Sequence, residues 1–195
     1  MRISRGIGWV LAAVIIAGTI GSASPGHAVT VVGGTEEQRS MVDWAAGRFE
    51  AAGLELPSME IRFHPDRDDC LDRIGYYHLE VVHLCLLRAT TDSSRTVLHE
   101  MAHGWLEANV TGIERDLFLL HRGLDNWNDK RVEWGERGTE QGAEIIEWAL
   151  GEQGDGTLLP SIPNNDPEQV AAAYTVLTGS PMPQPQVWGH GQTSD

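Results

Sequence analysis

The stretch from Thr91 to Asn109 constrains this chain more than any other. Val97, Leu98, Met101, Ala102, Trp105 and Leu106 recur there at the spacing of one broad helical face. Asp92 or Ser93 is the expected N-cap. Inside this helix the sequence R-T-V-L-H-E-M-A-H-G-W, Arg95 to Trp105, sets two histidines four residues apart with a glutamate after the first. At about 3.6 residues per turn, His99 and His103 stand one above the other on one face, while Glu100 is rotated by about 100°. Both imidazoles can therefore reach one Zn²⁺ at ~2.0–2.1 Å. Glu100 falls beside the metal's open position, where it can take a proton from water. The expected roles are His99 and His103 as metal ligands and Glu100 as general base.

Around this helix the chain reads as one α+β domain, mainly helical, with a small sheet beside the histidine helix. Thr35 is a plausible N-cap for a helix carrying Met41, Val42, Trp44, Ala45, Phe49 and Ala52 on one stripe, ended by Gly53. Met59 to Phe63 is a short strand, His64 to Asp72 an Asp-rich loop, and Tyr76 to Leu86 a second strand. Further helices are expected from Ile113 to His121, from Gly138 to Leu150, and from Pro167 through Leu177. The segment from Asp125 to Trp134 has no clear period, and the stretch from Gly151 to Asp166 reads as a connection. The domain is expected over residues 29–178, with a mobile tail over 179–195.

The first 28 residues have the layout of an export signal. Arg2 and Arg5 precede an apolar run from Val10 to Ile20, and Gly26-His27-Ala28 fits the small-x-small rule for cleavage after Ala28. The run is shorter than the ~20 residues a stable membrane span needs, so a secreted chain without lasting membrane insertion is expected. An oxidising compartment favours a disulfide between Cys70 and Cys85, the two cysteines of the chain. The formal charge of -14, which loss of the signal makes more acidic by two units, disfavours nucleic acid and anionic membranes as partners. A monomer is expected.

Two histidines leave a catalytic zinc site one protein ligand short. The metzincin extension, HExxHxxGxxH, fails because Leu106 and Asn109 stand where it needs Gly and a third His. The segment Gly138-Thr139-Glu140-Gln141-Gly142-Ala143-Glu144 resembles, together with HExxH, the metal site of the gluzincin branch of zinc metallopeptidases, of which thermolysin is a member. The resemblance implies Glu140 as third ligand and Glu144, four residues on, as the group that orients a ligating histidine. It departs from thermolysin in having Glu rather than Asp at the second position and no Asn before the ligand. A solvated acidic helix face is the alternative for this pair. Glu107, one turn beyond His103, and Asp116 are further ligand candidates.

The resemblance covers two helices and implies a zincin-like core with Zn²⁺ as cofactor. It also implies hydrolysis of peptide bonds in a protein or peptide substrate, by water deprotonated by Glu100 beside the metal. The alternative is a secreted zinc-binding or peptide-binding module without turnover. His121, Tyr76, Tyr77 and Arg137 are available by type as oxyanion donors. A substrate strand is expected to pair with Tyr76 to Leu86. His78 and His83 are read as bystanders on opposite faces of that strand, and Trp105, Trp127, Trp134 and Trp148 as core.

Overall fold

A computed structural model describes residues 29–85, 88–151, 162–163 and 165–183. The expected signal, most of the expected tail and most of the Gly151 to Asp166 connection lie outside the described residues. Among those described, the order of elements is β1 (Val29–Val32), α1 (Glu36–Ala51), β2 (Met59–Phe63), β3 (Gly75–His78), β4 (Val81–Leu84), α2 (Thr91–Asn109), α3 (Gly112–Arg122), α4 (Gly138–Leu150) and α5 (Pro167–Thr178). The architecture is the expected α+β fold, mainly helical, with a four-stranded sheet.

The helix boundaries follow local chemistry. Thr35 forms a capping box with Gln38 at the start of α1, and Thr111 forms one with Glu114 at the start of α3. Asp166 caps α5, whose first residue is Pro167. The cap of α2 is Thr90, one residue before the segment read as helical, rather than Asp92 or Ser93. Its side chain accepts from the Ser93 amide, which places Asp92 and Ser93 inside the first turn.

The sheet has strand order β1-β2-β4-β3. Strands β1, β2 and β4 run parallel, and β3 runs antiparallel on the edge. Where one strand is expected from Tyr76 to Leu86, Gly75–His78 and Val81–Leu84 form a hairpin, and Leu86 lies outside the described residues. Leu79 and Glu80, at φ 50° and 64°, reverse the chain in the left-handed conformation that two-residue hairpin turns demand. Neither is the Gly or Asn that usually marks such a turn, so the alternating sequence hides it. The hairpin pairs Tyr76 with His83 and His78 with Val81, which brings His78 and His83 to the same face of the sheet. Strand β1 is short and β-branched, and pairs with β2 from Val29↔Met59 to Val32↔Arg62.

The core lies between the sheet and the helices. Ile61, Val82 and Leu84 from the sheet meet Met41, Ala45 and Phe49 of α1 and Leu98, Met101 and Ala102 of α2, all buried. Helix α2 is central: it packs on α1, β3, β4 and, most extensively, α4. Gly104 lets it approach the sheet, because a Cβ there would lie 2.8 Å from Met59 Cε and 3.1 Å from Tyr77 Cε2. The Cys70–Cys85 disulfide forms as expected and ties the end of β4 to a 3₁₀ turn at Arg67–Cys70. A loop of that length, with a sequence separation of 15, adds ~3 kcal/mol in the chain-entropy account.

Candidate metal centre

Helices α2 and α4 face each other with two ladders of polar side chains. Arg95, His99 and His103 are spaced one turn apart on α2. Glu140, Glu144 and Glu147 share a face of α4, because seven residues bring a helix back to within about 20°. Both ladders line a cleft of about 1190 Å³, with Gly75 to Leu79 along another wall.

At the centre of the cleft three ligand atoms converge. His103 Nε2 lies 3.1 Å from His99 Nε2 and 3.1 Å from Glu140 Oε2, and His99 Nε2 lies 3.5 Å from the same oxygen. Ligands at ~2.0–2.1 Å around a tetrahedral ion are separated by about 3.3 Å. The circle through the three atoms has a radius of about 1.9 Å, so a point at ligand distance from all three lies just off their plane, leaving a fourth direction free. The buried His/Glu group can hold a metal ion.

The far side of each imidazole is also supported. His103 Nδ1 is 3.2 Å from Thr139 Oγ1. His99 Nδ1 faces Glu147 Oε2 at 3.4 Å and Glu144 Oε1 at 3.6 Å. Glu147 is only 6% exposed, and its second carboxylate oxygen accepts from Arg95 Nε at 2.6 Å. His99, Glu144 and Glu147 could also gather around a cation. The guanidinium of Arg95 already supplies positive charge there, and the trio at Nε2 is the more compact. On its Nδ1 side His99 therefore faces an acidic pair already partly neutralised by Arg95.

These contacts determine the charges. Burial opposes a proton on His99, but the carboxylates of Glu140 and Glu147, together with the charge of Glu100, outweigh it and hold its pKa up to about 10. Burial likewise works to raise Glu140, but hydrogen bonds to His103 and His99 prevail and hold it far below the usual carboxylate range. The proton on His99 and the charge of Glu140 thus favour each other. Glu100, 8% exposed, is pushed up from its ordinary value, chiefly by burial. Its side chain lies against the backbone at Gly75, where a Cβ would come within 3.0 Å of Glu100 Cγ.

The structure brings His99, His103 and Glu140 together, sets Glu100 in the same cleft and places Glu144 beside His99. Glu107 lies a turn away with the Tyr77 hydroxyl, whose pKa burial and the Glu107 charge push up to about 12. Glu107 is outside the ligand group, and Asp116 is outside the cleft. Tyr76, Tyr77 and Arg137 line the cleft, whereas His121 faces the Gln169 carbonyl elsewhere. Trp134 departs from the expected core role: it is 36% exposed, and its ring stacks on His99 with centroids 5.9 Å apart. His83 belongs to an outer cluster with Tyr76 and His64.

Sequence reasoning missed Thr139, Glu147 and Arg95. Their signal was present in the register: Glu147 repeats Glu140 two turns on, Arg95 precedes His99 by one turn, and Thr139 adjoins Glu140. No protein-family model matches the chain, and no curated protein or solved structure is significantly similar to it.

Proposed function

We propose that the chain is an extracytoplasmic zinc-dependent hydrolase of peptide bonds. The observation that carries this reading is the convergence of His99 Nε2, His103 Nε2 and Glu140 Oε2 within 3.5 Å of one another, with Glu100 in the same cleft. Two imidazoles and one carboxylate with an open fourth direction are a donor set suited to catalytic zinc. The disulfide fits an extracytoplasmic location, and no described helix is long and apolar enough to cross a membrane.

His99, His103 and Glu140 would hold the ion. When bound, it would polarise a substrate carbonyl and make an attacking water more acidic. Glu100 takes the proton from that water and returns it to the leaving amine. Burial raises its affinity for the proton and suits it to this exchange. Gly75 leaves Glu100 room against the edge strand, and Thr139, Glu144 and Glu147 hold the imidazoles in place. Tyr76 and Tyr77 line the same wall and are candidate donors to the developing oxyanion.

The test is hydrolysis of a mixed peptide library by the zinc-loaded chain and by Glu100→Gln. Loss of about 10²-fold or more in rate with unchanged zinc content supports the reading. Absence of any Glu100-dependent cleavage contradicts it and favours a zinc-binding or peptide-binding module without turnover.

A further inference from the structure

Four guanidinium groups line the cleft, those of Arg73, Arg95, Arg115 and Arg137, and the charge of Arg73 acts on Glu100. Arg95 is bound to Glu147, and Arg137 donates to the Val132 carbonyl. Arg115, from the first turns of α3, has its Nε buried without a hydrogen-bond acceptor. Its guanidinium carbon instead lies 5.4 Å from the ring centroid of Trp127. An aromatic face orients a guanidinium but satisfies none of its N–H groups, which are built for paired acceptors.

This cation is coupled to the metal centre. The Trp127 carbonyl accepts from the Thr139 amide at 2.8 Å, and Thr139 Oγ1 touches His103 Nδ1. The Trp127 ring lies against Gly138, at the start of the helix that carries Glu140. Arg115 and Trp127 thus line the cleft on the His103 side, opposite the Arg95 and Glu147 pair on His99.

We infer that Arg115, oriented by Trp127, is a specificity-determining residue that takes a carboxylate of the substrate in the metal cleft. This rests on the peptide-hydrolase reading and sharpens it: the favoured substrate carries an anionic group on the His103 side of the scissile bond. Exposed acidic groups beyond about 8 Å are largely screened at physiological salt, while the carboxylates of the cleft are countered locally by Arg73, Arg95, Arg115, Lys130 and Arg137. The carboxylate has two sources in peptides, a free C-terminus or an acidic side chain.

Binding of N-acetylated peptides to the zinc-loaded Glu100→Gln chain, by isothermal titration, tests this without requiring turnover. Three forms of each sequence are compared: free C-terminus, C-terminal amide, and amide with an internal Asp or Glu. The expected result is affinity at least tenfold higher for a carboxylate form than for the plain amide. That preference should be abolished by Arg115→Met and partly retained by Arg115→Lys. A preference confined to the free acid identifies a C-terminal carboxylate, and one shown by the internal acid identifies a side chain. Equal affinity for all three forms overturns the inference, as does a preference that survives Arg115→Met. If Arg115→Met does not fold, Arg115→Lys and the acid-against-amide comparison on the parent still decide. Failure of the peptidase reading shows separately, as absence of Glu100-dependent cleavage.

Discussion

Glu147 joins Arg95 to His99: one carboxylate oxygen accepts from Arg95 Nε at 2.6 Å while the other faces His99 Nδ1 at 3.4 Å. The pair favours a proton on Nδ1 of His99, so Nε2 is the nitrogen that would give up its proton to a metal ion. Glu144 faces Nδ1 from farther away, at 3.6 Å. Glu147→Gln is therefore expected to weaken zinc affinity by roughly 10- to 100-fold, and Glu144→Gln by less. Competition against a chelator of known affinity measures both. A larger loss at Glu144 would assign the orienting role to it instead.

Metal uptake should be coupled to protons. In the metal-free chain His99 holds its proton up to about 10 when folded, against an ordinary 6.5 when unfolded. The proton therefore stabilises the folded metal-free chain fully below about pH 6.5, progressively less above it, and not at all once pH has risen past about 10. A metal ion must displace that proton, so near pH 7 binding should release about one proton from His99 and strengthen as pH rises. Zinc titrations in buffers of different ionisation enthalpy read the number directly. A binding enthalpy independent of buffer would contradict the expectation.

The edge strand packs against Glu100 as well as forming the cleft wall. Gly75→Ala places a methyl group 3.0 Å from Glu100 Cγ and 3.2 Å from Leu84 Cδ2, tighter than ordinary contact. The expected outcome is a fall of about tenfold in Glu100-dependent turnover, with zinc content unchanged, since a small misplacement of a catalytic group costs on that order or more. Steady-state rates and metal analysis on the same sample check it. Loss of zinc together with activity would show that Gly75 serves the fold instead.

Much of this arrangement was legible because it is periodic. His99, His103 and the apolar positions of α2 repeat with the helix turn, and Glu140 with Glu144 repeat in α4. The Cys70–Cys85 pair followed from there being two cysteines and a signal-like N-terminus. The hairpin at Leu79 and Glu80 was not legible, since left-handed residues other than Gly or Asn leave no mark in an alternating sequence. Nor was the placement of Trp134 over His99 or Arg115 over Trp127, which depends on how aperiodic loops fold back across the cleft. Glu147 lay in plain periodic register, but its role needed the facing arginine on another helix.

His99, His103 and Glu140 are proposed to form one metal centre. Zinc titration of the metal-stripped chain tests it most directly, alongside the single variants His103→Ala and Glu140→Ala, each checked for folding by circular dichroism. One tight site per chain is expected, with tight binding lost in His103→Ala and weakened by at least about tenfold in Glu140→Ala. Equal stoichiometry and affinity in the parent and in folded His103→Ala would contradict it.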